Sequence, residues 1–180
     1  MRRLLGVSLA VALTMLLAVG SVAAASPHFK RGGEPVCTIS GSGTSQTVNC
    51  GGTLAGLGNE DLLIESTVSG FALYQCQNAG GNLAPGQNKV LEGPQTVPTV
   101  IPSDSIKNGN VTFATNDNTL TAAPTVSGAE AGCPNGNWTG VNPTLSITGI
   151  TLTIAQGGVV LFTCTASNSA GLTGRVPLSC

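Results

Sequence analysis

The chain has 180 residues, of which only 8% are charged, and its formal net charge is −1 at pH 7. So few lysines and arginines cannot form the basic surface that nucleic acids require, nor the basic patch that anionic membranes attract. The composition therefore excludes a nucleic-acid-binding protein of the usual kind.

The first 25 residues have the three parts of a secretory signal peptide. Arg2 and Arg3 form a basic start, an apolar run covers residues 4–19, and small residues end it with the Ala-x-Ala pattern at Ala23 and Ala25. We therefore expect cleavage after Ala25, which leaves five basic and eight acidic residues, a net charge of about −3. The alternative is an uncleaved anchor helix, for which the apolar run is short.

All six cysteines follow the expected cleavage site, and an even number in an exported chain predicts disulfides. Their spacing favours two hairpin-closing pairs and one long-range pair: Cys37–Cys50, Cys164–Cys180 and Cys76–Cys133. A zinc site is disfavoured, because no two cysteines are close in sequence and His28 is the only histidine. Since the sequence ends at Cys180, we also expect no sorting signal or membrane anchor after the domain.

The first half of the exported chain predicts strands separated by glycine-rich turns. Residues 26–35 mix proline, glycine and charged residues, which predicts a flexible lead-in. Residues 36–40 and 46–50 predict a hairpin. Residues 61–77 predict a longer strand with a bend at Gly70. One face of this strand is expected to be core and carries Leu62, Ile64, Val68, Ala72, Tyr74 and Cys76.

The middle of the chain is less regular. Residues 78–88 are rich in glycine and predict a loop. Residues 89–101 are interrupted by prolines, which confine them to an edge strand or an irregular crossing. Residues 110–115 predict a strand, and residues 116–138 are polar, with a short strand near residues 119–122.

The strongest strand pattern covers residues 143–166, where apolar residues alternate with threonine and serine. The alternation shifts by one residue at Gly149, which predicts a bulge. Gly157 and Gly158 predict a tight reversal, so the stretch should form a long hairpin, and a last strand is predicted over residues 175–180. Seven to nine short strands predict a single all-β domain over residues 36–180, an immunoglobulin-like antiparallel β-sandwich linked by disulfides.

The sequence offers little support for catalysis. His28 lies in the lead-in, the cysteines are expected to be oxidised, and the adjacent Glu60 and Asp61 would point to opposite faces of a strand. Glu65 and Glu92 are the other candidate acids, with no spacing argument behind them. We therefore predict no catalytic residue, no cofactor and no metal, with a secreted hydrolase as the remote alternative.

Two segments rich in asparagine and acidic residues, 59–61 and 116–118, could offer oxygen ligands to calcium. The interpretation that we favour is that they form turns, because asparagine and aspartate stabilise turns by local hydrogen bonds. Asn110 and Asn137 match the glycosylation acceptor pattern, which matters only in a eukaryotic host.

Carbohydrate-binding β-sandwiches commonly use exposed aromatic side chains, and two residues are candidates here. Phe71 has the opposite parity to Tyr74 and so could face solvent. Trp138 follows Cys133 closely, and we expect it to cover the Cys76–Cys133 disulfide; the alternative is a ligand platform. The weak ligand-binding candidates are therefore Trp138 and Phe71.

Several motifs resemble those of a group of small secreted bacterial proteins, actinobacterial in style. The matching stretches are Ala55-Gly56-Leu57-Gly58-Asn59, Gly80-Gly81-Asn82, Ala84-Pro85-Gly86-Gln87-Asn88, Asn108-Gly109-Asn110-Val111 and Cys133-Pro134-Asn135 with Trp138. The resemblance implies a disulfide-containing β-sandwich and no particular activity. The composition alone is similar to that of the enediyne-binding chromoproteins, with which no motif is shared.

We therefore predict a non-enzymatic extracellular module that binds an unidentified ligand or has a structural role at the surface, where it would associate with itself. The alternative is a carbohydrate- or small-ligand-binding domain that uses Trp138 or the interior of the sandwich.

Overall fold

The computed structural model of the protein describes residues 26–180, so the predicted signal peptide lies outside the described residues. This part of the chain is all-β, with one 3-10 turn at Ser103–Ser105 and no α-helix. No helix in it could cross a membrane. The strands are β1 (His28–Phe29), β2 (Val36–Ser42), β3 (Ser45–Ala55), β4 (Leu62–Gln77), β5 (Leu83–Pro85), β6 (Val90–Ile101), β7 (Val111–Ala114), β8 (Asn118–Thr121), β9 (Val126–Ser127), β10 (Thr139–Gln156), β11 (Val159–Leu172) and β12 (Arg175–Pro177).

The strands form two antiparallel sheets that share one core. Sheet A has the order β1-β3-β2-β12, and β7 and β8 also pair with β3. Sheet B has the order β11-β10-β4-β5, with β6 also paired to β4 and β9 to β10. The predicted all-β sandwich is confirmed. It has more strands than the seven to nine expected because six of the twelve contain only two to four residues.

Strand β10 is the centre of sheet B, since it pairs with both β4 and β11. The register with both neighbours shifts between Ile147 and Gly149, which confirms the predicted bulge. Gly157 and Gly158 turn the chain into β11 with φ values of 57° and 79°, a conformation that glycine adopts without steric cost. The inward side chains of β10 are buried: Leu145, Ile147, Ile150, Leu152 and Ile154.

Strand β4 lies beside β10 and presents its predicted core face. Its inward residues are all at most 3% exposed: Leu62, Ile64, Val68, Ala72, Tyr74 and Cys76. Sheet A covers them from the other side with Val48, Leu54 and Phe113. Complete burial of each large aliphatic side chain stabilises the fold by about 1.5–3 kcal/mol.

Three disulfides link different elements of the fold. One joins β2 to β3, one joins β4 to the loop before β10, and one joins β11 to the end of the chain: Cys37–Cys50, Cys76–Cys133 and Cys164–Cys180. These are the pairs that the spacing predicts. Disulfides of this kind form and persist in an oxidising, extracellular type of environment.

The lead-in that the sequence predicts to be flexible is instead paired with sheet A. His28 and Phe29 form β1 against Ala55 and Leu54 of β3. The ring of Phe29 lies 4.6 Å from that of Phe162, centroid to centroid. The segment therefore contains a short strand that the composition did not predict, held by backbone pairing with β3 and by the contact between the two aromatic rings.

Two further segments differ from the prediction. Within the predicted loop 78–88, residues Leu83–Pro85 form β5 and pair with the end of β4. The last strand is shorter than predicted: β12 covers Arg175–Pro177 and pairs with β2. Ser179 then forms a separate bridge to Thr165 of β11.

Candidate functional site

The solvent-facing side of sheet B contains a hollow of about 610 Å³. It lies where the end of β4 meets β5 and the start of β10. We call it the outer hollow. The side chains that line it are Leu73, Gln75, Leu83, Pro85, Asn142 and Thr144, together with parts of Tyr74, Ala84 and Gly86.

The outer hollow exists because β10 is irregular beside the end of β4. The register between the two strands shifts between Val141 and Thr144. At this shift Asn142 has a φ of 50°, which asparagine tolerates better than most residues. Its side-chain amide donates to Oε1 of Gln75 at 3.0 Å. The irregularity therefore places two side-chain amides beside each other at the edge of the hollow.

Short strand β5 forms the opposite wall. Gln75 pairs with Pro85, and Gln77 pairs with Leu83. The chain then bends inward at Gly86, whose amide donates to the Tyr74 carbonyl at 2.9 Å. A Cβ at Gly86 would lie 2.6 Å from that carbonyl oxygen, so only glycine allows this approach.

The lining of the outer hollow combines apolar surface with neutral polar groups. Leu73 is 41% exposed and Leu83 is 51% exposed, both unusually high for leucine in a sandwich. Gln75, Asn142 and Thr144 supply amide and hydroxyl groups, and no lining residue is charged. Such a surface fits a neutral ligand that has both an apolar face and hydroxyl or amide groups.

Phe71, one of the two aromatic candidates, lies on the outer face of sheet B but is only 6% exposed. Nζ of Lys89 lies 4.1 Å from its ring centroid and donates to the Ser169 carbonyl at 3.1 Å. Residues 168–171 are left out of the β10–β11 pairing, and Gly171 approaches Ser146, the β10 partner of Phe71. The prediction that Phe71 could face solvent is therefore wrong, because residues that are distant in sequence cover its side chain.

Trp138, the other aromatic candidate, is half-buried and packs against the core, as does Cys133. Its backbone amide donates to the Asn135 carbonyl at 3.3 Å. Trp138 does not line the outer hollow. The structure therefore does not bring Trp138 and Phe71 together into one site.

The candidate acids lie apart. Glu65 pairs with Pro98 of β6, whereas Glu92 pairs with Gly70 of β4. Five residues of strand therefore separate the two positions, which is about 17 Å. Glycosidases hold their two carboxyl groups at about 5–9.5 Å. His28 is exposed on β1, and its Nδ1 lies 2.8 Å from the Ser26 carbonyl oxygen.

Glu92 is a partly buried carboxyl group beside the hydroxyl group of Tyr74. Loss of solvation raises the pKa of Glu92 above its ordinary value, although the nearby Tyr74 hydroxyl and Ala123 backbone lower it in part. The Tyr74 hydroxyl donates to the Ala123 carbonyl at 2.9 Å. The same burial, and the charge of Glu92, raise the pKa of Tyr74.

In the segment 116–118, which we considered for calcium, two polar side chains form hydrogen bonds within the protein. The Asn116 side chain donates to the Pro98 carbonyl at 2.9 Å. Asp117 accepts from the Asn49 side chain at 3.1 Å. In the other segment, Asp61 accepts from the Ser103 amide at 2.7 Å. Within residues 26–180, no three histidine, cysteine or acidic side chains are grouped as a metal site would need.

A second groove, of about 500 Å³, runs along β3 in sheet A. Glycine backbone forms much of it, because a Cβ at Gly33 or Gly52 would lie 2.9–3.0 Å from a neighbouring side chain. Glu34 and Arg175 lie at its sides. Its opposite charges give it no clear preference for an anion or a cation.

The chain matches no protein-family model, and no curated protein matches it.

Proposed function

We propose that the protein is a non-enzymatic extracellular binding module that holds a neutral, hydroxyl-bearing ligand in the outer hollow. The observation that carries the proposal is the lining of the hollow, which places two exposed leucines beside neutral amide and hydroxyl groups. A saccharide has this combination, since its C–H faces are apolar and its edges carry hydroxyl groups. The separation of Glu65 from Glu92 argues against a hydrolytic role for that pair of carboxylates.

The proposal includes export by the predicted signal peptide at residues 1–25. The three disulfides support it, because they form in an oxidising environment. The resemblance to small secreted bacterial proteins stays a prediction, and it implies no ligand.

We also infer that the sandwich is immunoglobulin-like in its strand order. Strands β2, β3 and β7 are neighbours in sheet A, and β6, β4, β10 and β11 are neighbours in sheet B. The order corresponds to the A-B-E strands and to the C′-C-F-G strands of that fold. Strand β12 would then be an addition beside β2.

The experiment is a glycan array, followed by calorimetric titration of the oligosaccharides that bind. Two variants alter the outer hollow. Leu73→Asp places a charge in it, and Asn142→Gly removes one amide while keeping a residue that tolerates the positive φ. Each should weaken binding by about tenfold, the loss expected when about one hydrogen bond or its apolar equivalent is removed.

Two control variants separate this hollow from other sites. Leu91→Asp changes a side chain on the same face that is 83% exposed and does not line the hollow, so binding should be unchanged. Trp138→Ala should also leave binding unchanged. The proposal fails if no neutral saccharide binds, or if Trp138→Ala abolishes binding while Leu73→Asp does not.

A further inference from the structure

Strand β11 is an edge of sheet B that the chain leaves largely unprotected. It pairs with β10 on one side. On the other side, within residues 26–180, its backbone pairs only at Thr165, which exchanges hydrogen bonds of 2.8 and 2.9 Å with Ser179. Its 14 residues include no charged residue and no proline. Charged residues and prolines are two of the features by which sheet proteins usually prevent pairing with other chains. A third such feature, a β-bulge, is present in β11, because the register against β10 skips Leu161 between Val160 and Phe162.

The opposite edge of the same sheet shows the contrast. Strand β6 carries Pro94 and Pro98, which remove backbone donors. Side chains from the loop before β8 and from β8 itself cap its carbonyl groups: Asn116 binds Pro98, and Asn118 binds Gln95 at 3.0 Å. The sheet is therefore closed at β6 and open at β11.

Before the Thr165–Ser179 bridge, the unpaired part of β11 includes its first five residues, Val159 to Thr163, which we call the open segment. The backbone amide and carbonyl groups of Thr165 point away from β10, towards Ser179. In an antiparallel strand, the backbone groups of every second residue point to the same side. The amide and carbonyl groups of Thr163 therefore also point away from β10. In the described part of the chain, no hydrogen bond engages Thr163 on that side.

An apolar row leads across sheet B to this open segment. Register places Val100, Leu63, Ala155 and Val160 side by side on β6, β4, β10 and β11. Val100 is 59% exposed, Leu63 is 38% exposed and Val160 is 57% exposed. We call these four residues the apolar row. It crosses the whole sheet and ends at the free edge.

We propose that a second copy of this chain pairs with the open segment, β11 against β11 in antiparallel orientation about a two-fold axis. The pairing would join the two B sheets into one continuous sheet. Antiparallel pairing about such an axis keeps the outer faces on the same side. The open segment is centred on Leu161, so Val160 of each copy lies next to the axis. The two apolar rows then meet end to end.

The apolar row is the reason to expect a second copy and not an unrelated strand. Any extended peptide can satisfy the backbone of an edge, and a second copy also brings a matching apolar row to the same side of the sheet. A strand without charges also pairs with itself without placing like charges opposite each other. Since the Thr165–Ser179 bridge limits the shared segment to about five residues, the interface is small and the dimer should dissociate on dilution.

The experiment is sedimentation equilibrium of the secreted protein from micromolar concentration to about 1 mM. The expected result is a mass that rises from one copy to two. Thr163→Pro removes the outward donor without touching the bonds to β10, and Val160→Lys places two like charges at the axis. Each should raise the dissociation constant by about tenfold or more. Leu91→Lys is the matched control, an exposed apolar residue on β6, and should leave the constant unchanged.

Three outcomes would overturn the proposal. The first is a single-copy mass at every concentration. The second is a dimer that Thr163→Pro and Val160→Lys leave intact. The third is a dimer that Leu91→Lys breaks equally. Far-ultraviolet circular dichroism and melting curves of each variant show whether it is folded, and a variant that is unfolded is replaced by Val160→Glu, which tests the same contact.

Discussion

At the scale of single residues, Asn118 shows how a polar side chain can link two sheets. It lies at the start of β8 in sheet A and is fully buried. Its side-chain amide donates to the Ser66 carbonyl of β4 at 2.7 Å and to the Gln95 carbonyl of β6 at 3.0 Å. Both acceptors belong to sheet B, so one side chain joins three strands through the interior.

We predict that Asn118→Ala lowers the free energy of unfolding by about 2–3 kcal/mol, because two carbonyl groups lose their buried donor. Ser66→Ala is the matched comparison, since Ser66 is equally buried but its hydroxyl has no partner among the described residues. Its loss should change stability by less than about 0.5 kcal/mol or increase it. Urea denaturation of both variants checks the contrast, and equal effects would contradict it.

Phe71 shows what a sequence reveals about one residue and what it does not. Its position relative to Tyr74 correctly predicts that it points away from the core of the sandwich. Its exposure depends on Lys89 and on residues 168–171, which are far away in sequence. No local pattern contains that information, because the cover forms only when β11 leaves its pairing with β10.

At the scale of elements, the strands that were predicted best are those with continuous alternation. The alternation in β4 and β10 comes from one buried face and one exposed face, and the bulge at Gly149 is visible as a change of parity. Strands β1 and β5 were missed because they contain only two and three residues. Segments so short have no period, and they form because a longer neighbour offers an edge.

The C-terminal segment is an element whose order depends on a disulfide. Arg175–Pro177 pairs with β2, Val176 and Leu178 are buried, and Cys180 is bonded to Cys164 of β11. Terminal residues normally fray. The disulfide connects this segment to sheet B, and the pairing with β2 connects it to sheet A.

We predict that Cys180→Ser lowers the free energy of unfolding by about 3 kcal/mol, the value expected for a loop of this length. Proteolysis should become faster in the residues after Gly171, while the Cys76–Cys133 region stays folded. Limited proteolysis with mass spectrometry, on the variant and the parent protein side by side, measures both. Unchanged cleavage kinetics after Gly171 would mean that β12 is held by its pairing with β2 alone.

At the scale of the whole molecule, the outer hollow is the feature that sequence reasoning could not find. Its walls come from β4, β5 and β10, and it needs the irregular register at Asn142 as well as the inward bend at Gly86. The alternation in β4 does place Leu73 and Gln75 on the outer face. It does not reveal that two other elements would enclose them.

The three disulfides have a consequence for the protein under mechanical load. They enclose sequence separations of 13, 57 and 16 residues. At about 3.5 Å per extended residue, these loops contain roughly 300 Å of contour length, which cannot be extended while the disulfides are intact. When the chain is pulled by its two ends, the reduced protein should therefore lengthen by about 300 Å more than the oxidised protein, which single-molecule force spectroscopy measures directly. Equal lengths would mean that the bonds do not enclose these loops. In the oxidised protein, more than half of the described residues lie inside closed loops, so a pulling force extends only the remainder and then acts on covalent bonds.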